Sequence, residues 1–177
     1  MKKALVVVLL VMAGLLVWKM VENEESPGPG KPGMKRPKPI PDEALNPKVV
    51  AEVGAAYQRE VEPLLKRACF DCHSTQTEFP WYHHVPGVKQ YLDDHVKEAG
   101  ERLDLTKGFP FVSKKPLVSR IRGIGGTVKR RTMPLWDYRL MHPKSHFTEA
   151  EEKVIVDWAE GSFQRLSETA KAYNSEN

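Results

Sequence analysis

Two cysteines and a histidine within five residues constrain this chain more than any other feature. The stretch reads Cys69-Phe70-Asp71-Cys72-His73, and on one helical turn its two thiols lie on the same face. This C-x-x-C-H spacing predicts covalent attachment of haem, because two such sulfurs reach the two vinyl groups of one porphyrin. His73 then lies under the ring, where an imidazole nitrogen can bind the iron.

Other chemistry suits the motif less well. Adjacent Cys72 and His73 bind one tetrahedral zinc ion awkwardly, and the chain has no second pair of zinc ligands. A thioredoxin-like thiol site would need a βαβ pattern around Cys69 and Cys72, and none surrounds them. Both cysteines of the chain lie in the motif, which excludes a structural disulfide framework.

The first 21 residues form a segment of their own. A basic start, Met-Lys-Lys, precedes an apolar run from Ala4 to Trp18. Fifteen residues span about 22 Å as a helix, less than a ~30 Å hydrocarbon core, although a snorkelling Lys19 lengthens the run. No small-x-small cleavage site follows, so residues 1–21 predict a signal anchor rather than a cleaved signal peptide. The positive-inside rule then puts the rest on the periplasmic side of a bacterial inner membrane; a cleaved signal would release it into the periplasm.

Proline dominates the next segment, residues 22–47. It holds seven of the chain's fourteen prolines and three glycines, a composition typical of a semi-extended linker. Most of the formal net charge of +4 lies in the first 48 residues. The net charge therefore gives no support for nucleic-acid binding, which requires a basic face on the folded domain.

Helical periodicity begins at about residue 48 and predicts an all-α domain over residues 48–173, followed by a polar tail at 174–177. The predicted helices are 48–60, a short helix from Pro63 into Cys69, 87–102, one opened by Pro116, and one begun by Thr148 and Glu151. Thr148 and Glu151 have the spacing of a capping box. Gly161 lies where that last helix would have its C-cap, and residues 162–173 would continue as a second short helix.

A methionine–proline pair provides a candidate second iron ligand. Pro134 forces Met133 out of helical geometry, so the thioether sits on a stiff loop that can direct it at a metal. Met133 follows His73 by 60 residues, with helical sequence between them to build the opposite wall. His142 is the alternative distal ligand.

Four aromatic residues are predicted to line the haem pocket: Trp81, Tyr82, Trp136 and Tyr138. Their rings carry the largest apolar area per residue, so ordinary core packing is the alternative for each. Two further histidines, His83 and His84, are adjacent on a loop and cannot both face one iron. They are predicted to be exposed.

These motifs together resemble a c-type cytochrome, and more narrowly the bacterial mono-haem haem-binding domain family. Cys69 to Ser74 and then Pro80-Trp81-Tyr82 match the opening of that family. Met133-Pro134-Leu135, Tyr138, His142 and the helix ending in Trp158 match its closing part, so the resemblance covers about residues 50–161.

The resemblance implies a cytochrome c-like helical domain around one covalent haem c. Thioethers would form at Cys69 and Cys72, with His73 as proximal and Met133 as distal ligand. The helix before Cys69 would cross the helix after Thr148. Haem of this type is attached outside the bacterial cytoplasm, in keeping with the predicted anchor.

The expected function is electron transfer by a membrane-tethered cytochrome that serves redox partner proteins, with no catalytic residues. A methionine on the sixth iron position favours electron passage over substrate chemistry. Two alternatives stay open: a haem enzyme such as a peroxidase, with His142 as acid–base group, and a haem-based gas or redox sensor in which Met133 is displaced.

Overall fold

A computed structural model describes residues 39–176 of the chain, and side chains up to residue 170. The predicted signal anchor at 1–21 and most of the predicted linker lie outside the described residues. Among the helices that are described, none combines the length and apolar character needed to cross a bilayer.

Residues 39–176 form helices and turns without a β strand, which confirms the all-α prediction for this part of the chain. The seven α-helices in this described part of the chain are α1 (Pro47–Ala56), α2 (Glu62–Ala68), α3 (Phe70–His73), α4 (Val88–Arg102), α5 (Leu117–Lys129), α6 (Trp136–Met141) and α7 (Glu149–Glu176). Short 3₁₀ turns occur at Asp42–Ala44, Trp81–His84 and Pro143–Ser145.

The helix that leads to the motif is continuous, although a break at Pro63 was predicted. Asn46 caps its start by accepting a hydrogen bond from the Lys48 amide at 2.9 Å. A π-helical turn, Tyr57–Val61, then joins α1 to α2. This wider turn rearranges the backbone hydrogen bonds just where Pro63 has no N–H to donate, so the chain continues as a helix to Ala68.

The core forms where the π turn meets α7. Tyr57 is fully buried, with its ring centroid 5.0 Å from that of Phe111 and 5.5 Å from that of Trp158. The Trp158 indole donates to the Val53 carbonyl oxygen at 3.3 Å. The helix before the motif therefore packs against the helix after Thr148, as the resemblance implies.

Helix α5 lies against α7 at an unusually close approach. A Cβ atom placed on Gly125 would come within 2.5 Å of the Ala159 Cβ. Only a residue without a side chain allows the two helix backbones to come this near.

The folded region begins earlier than the predicted boundary at residue 48. Ala44 and Leu45 are buried in the core. The Asp42 carboxylate accepts a hydrogen bond from the Leu117 amide at 2.6 Å and pairs with Arg120 at 2.9 Å. Part of the predicted linker thus fastens the start of α5.

Helix α7 begins as predicted and ends later. The capping box is confirmed: the Thr148 amide donates to the Glu151 carboxylate at 2.8 Å, and the Glu151 amide donates to the Thr148 hydroxyl at 3.3 Å. The predicted C-cap at Gly161 is wrong, because α7 continues through it to residue 176. Leu166 and Ala170 are buried, and their burial favours extending the helix.

Candidate functional site

The C-x-x-C-H motif forms a tight turn at the end of α2. The Cys69 amide still bonds back to the Leu65 carbonyl at 2.8 Å, and α3 then turns so that the His73 amide donates to the Cys69 carbonyl at 2.9 Å. Burial raises the pKa of the Cys69 thiol to about 12 and that of the Cys72 thiol to about 11. Both thiols are therefore protonated at neutral pH, which does not suit thiol–disulfide redox chemistry.

Two clefts, each of about 240 Å³, adjoin the motif. Both are lined by Cys69, His73, Arg102 and Met133. Cleft A is lined in addition by Cys72, His95, Ala99, Leu135 and Tyr138. Cleft B is lined in addition by the cations Lys115 and Arg120, by the hydroxyl side chains of Ser113, Ser119 and Thr127, and by five aliphatic side chains: Leu65, Leu103, Leu105, Ile124 and Val128. Cleft A thus brings the predicted thioether positions, Cys69 and Cys72, together with the predicted axial positions, His73 and Met133.

The geometry of His73 suits an iron ligand. Its Nδ1 lies 2.9 Å from the Leu103 carbonyl oxygen, and since a carbonyl can only accept, Nδ1 carries the proton. Nε2 is left with its lone pair. Burial lowers the pKa of His73, which favours this neutral form. Metal-binding histidines typically donate their other N–H to a carbonyl or carboxylate in this way.

Met133 lies on the segment between α5 and α6, away from the motif in sequence. Pro134 keeps it outside the helices, as predicted. Its side chain lines both clefts together with His73 and is 36% exposed. Iron ligation by Met133 stays a prediction.

His142, the alternative distal ligand, lines neither cleft. It lies in a separate cavity of about 30 Å³ that Tyr82 also lines. Its imidazole stacks on the Tyr138 ring, with centroids 4.2 Å apart, and its Nδ1 donates to the Tyr138 carbonyl at 3.1 Å. Tyr138 lines both this cavity and cleft A.

Tyr138 connects α6 directly to the motif. Its hydroxyl donates to the Asp71 carboxylate at 2.6 Å. Burial, and then this bond to Asp71, raise the pKa of Tyr138, so the phenol keeps its proton. The sequence predicted that Tyr138 lines the pocket, but it did not predict this hydrogen bond.

The other predicted pocket aromatics are placed differently. Tyr82 lines the small cavity behind the motif. Trp81 and Trp136 are 77% and 72% exposed and line neither cleft, because each is the first residue of a short helical element whose inner positions fall on later residues.

The prediction that His83 is exposed is wrong. It is buried, its ring stacks on Phe79 with centroids 4.0 Å apart, and its Nε2 donates to the Asp93 carboxylate at 2.7 Å. The carboxylate on α4 satisfies the imidazole, and this contact makes burial favourable. His84 is exposed, as predicted.

Most of the other cleft residues were not predicted as site residues, among them the basic side chains His95, Arg102 and Lys115. The His95 Nδ1 donates to the Tyr91 carbonyl at 2.8 Å. His95, Ala99 and Arg102 recur every three or four residues on α4, a spacing that places them on one helix face. That periodicity was the signal in the sequence.

Comparison with known proteins gives one relative and one family. The cytochrome c peroxidase Ccp of Escherichia coli (strain K12) is 26% identical over 97 residues, which make up 54% of this chain and 21% of that protein. The matching segment thus spans about a fifth of the relative's length. No solved structure matches the chain. The haem-binding domain family matches residues 38–161, and the chain belongs to that family.

Proposed function

We propose that this domain binds one haem covalently through Cys69 and Cys72 and passes electrons between redox partner proteins. The observation that carries the proposal is His73, whose Nδ1 is committed to the Leu103 carbonyl. Its Nε2 is free to bind iron, in a space that Met133 also lines.

The residues around the clefts suit this cofactor. The surface of cleft B is mostly apolar, with five aliphatic side chains in its lining, and this suits the apolar faces of a porphyrin. The cysteines are unpaired thiols, so both sulfurs are available for thioether bonds. When bound, a haem with histidine and methionine ligands supplies a one-electron couple of raised potential.

The proposal extends to where the domain works. The basic start and apolar run of residues 1–21 support an N-terminal anchor on the periplasmic side of the inner membrane. Residues 22–38 would then tether the domain. This arrangement would let the haem reach partners at different distances from the membrane.

Haem attachment is tested by expressing the chain together with a cytochrome c maturation system. We expect haem that stays with the polypeptide in acid–acetone. Cys69→Ala/Cys72→Ala should lose it. Haem that can be extracted from the wild type would overturn the proposal of covalent attachment.

Axial ligation is tested on the same ferric protein by absorption spectroscopy. We expect six-coordinate low-spin iron with a methionine–iron charge-transfer band. Met133→Ala should lose the band, and Met141→Ala should keep it because Met141 is exposed and lines neither cleft. A Met133→Ala spectrum identical to wild type would contradict the ligand assignment.

A haem enzyme is the second candidate, and two observations favour it. One is the similarity to the cytochrome c peroxidase Ccp. The other is His95, an imidazole that lines cleft A and whose Nδ1 is bonded to the Tyr91 carbonyl. A high-spin ferric spectrum, with peroxide turnover that is lost in His95→Gln, would favour this reading over electron transfer. A sensor would instead exchange Met133 for carbon monoxide.

A further inference from the structure

We propose that Arg102 and Lys115, which both line cleft B, form a carboxylate-binding site for the haem propionates. This inference rests on the proposed haem attachment and specifies which way the porphyrin points. The two cations line a cleft whose surface is mostly apolar, so its ligand should combine an apolar body with anionic groups.

One hydroxyl holds the two cationic residues together. The Ser113 hydroxyl donates to the Arg102 carbonyl at 2.7 Å and accepts from the Lys115 amide at 3.2 Å. An antiparallel bridge between Asp104 and Val112 closes the same loop, with amide–carbonyl distances of 2.8 and 3.0 Å. These contacts hold the Lys115 backbone close to Arg102 at the end of α4, although Lys115 follows His73 by 42 residues.

Arg102 and Lys115 are available to bind an anion. Within the described part of the chain, Lys115 forms no ion pair. Arg102 pairs only with Glu98, at 3.3 Å and with both side chains more than two-thirds exposed. Such exposed i,i+4 pairs are weak, and a carboxylate from a bound ligand can replace Glu98.

Arg120, the third cation that lines cleft B, is already paired within the protein. The Arg120 side chain is 10% exposed and pairs with Asp42 at 2.9 Å. Its other nitrogens donate to the carbonyls of Pro110, Phe111 and Lys115 at 2.8, 2.9 and 2.5 Å. We therefore assign it to the fold rather than to the ligand.

The positions of the cysteines set the orientation. Cys72 lines cleft A alone, Lys115 lines cleft B alone, and Cys69 lines both. Protoporphyrin IX carries its two vinyl groups on one pair of neighbouring pyrroles and its two propionates on the other pair. Thioether bonds at the cysteine end therefore direct the carboxylates toward Lys115.

The test is a potentiometric titration of the holoprotein at a series of pH values. Arg102 and Lys115 should keep the propionate pKa low, since a nearby cation lowers a carboxyl pKa by roughly 1–3 units. In Arg102→Gln/Lys115→Met the propionate pKa should rise. We therefore expect the pH range over which the midpoint potential changes to shift upward by about one pH unit or more. Lys114→Met, a neighbouring exposed lysine outside both clefts, should match wild type.

The test distinguishes failure of the propionate site from failure of the proposed function. If Arg102→Gln/Lys115→Met carries covalent haem and its curve of midpoint potential against pH matches that of Lys114→Met, the propionate site is overturned and the proposed function stands. Failure of the wild type to attach haem would instead overturn the proposed function. If the double variant does not mature, exposed Lys115→Met is measured alone, and the charge-conserving Arg102→Lys/Lys115→Arg should restore the wild-type curve.

Discussion

Replacing Tyr138 by phenylalanine tests whether the motif and the Met133 segment are held together by one hydrogen bond. The change removes the hydroxyl that donates to Asp71 at 2.6 Å and keeps the ring that stacks on His142. Asp71 lies between the two cysteines, and Tyr138 lies five residues after Met133. A hydrogen bond to a charged group contributes about 1.5–3 kcal/mol, and all of it is lost in the variant.

If that loss falls on the iron–methionine contact, an added ligand should displace Met133 more easily. A weakening of about 1.5–3 kcal/mol corresponds to a Kd for imidazole that is lower by about 10- to 150-fold. The assay titrates the ferric holoprotein with imidazole and follows loss of the methionine–iron band. Tyr82→Phe is the matched control, because in the described residues the Tyr82 hydroxyl makes no hydrogen bond and its ring lies behind the same motif.

The refuting result is a Tyr138→Phe protein that binds imidazole as the wild type does. If its free energy of unfolding falls at the same time, the Tyr138–Asp71 bond stabilises the fold without holding the Met133 segment. An equal gain in imidazole affinity in Tyr82→Phe would show that the effect comes from losing any nearby phenol.

Two further predictions concern the helices that support the site. Gly125→Ala places a methyl group 2.5 Å from Ala159, so in urea unfolding it should be about 1–3 kcal/mol less stable than Gly161→Ala, whose new methyl meets nothing; equal values would contradict the close approach. The hydrogen bond from Arg67 lowers the pKa of Glu151 to about 2. Ionised Glu151 therefore adds to the free energy of unfolding fully above its usual pKa of 4.5, and this stabilisation disappears as pH falls from 5 to 2. Glu151→Gln should flatten the pH dependence of unfolding in that window, and a curve parallel to wild type would refute the assignment.

Local patterns predicted the parts of the fold that depend on local physics. Helices α4, α5 and α7 follow from apolar spacing, and the Thr148–Glu151 box follows from two side chains three residues apart. The break at Pro63 was wrong because the π turn before it depends on how Tyr57 packs in the core. The full length of α7 likewise depends on tertiary burial of Leu166.

The same division holds within the site. The motif and Met133 could be recognised because cysteine spacing and a methionine before proline are legible in a few residues. The Tyr138–Asp71 bond joins positions 67 residues apart, and the Arg102–Lys115 site requires the Ser113 loop to fold back onto α4. Sequence periodicity does not show which distant residues come into contact, so these features needed the structure.

The bond that orients His73 ends on a main-chain oxygen. Side chains at position 103 can therefore be exchanged without removing the acceptor, since every residue supplies a carbonyl there. Only a change that moves the backbone at the end of α4 would free the imidazole to rotate. Substitutions at position 103 therefore do not change the His73 tautomer needed for metal binding. Divergent members of the family could keep that tautomer with no conserved side chain at this position.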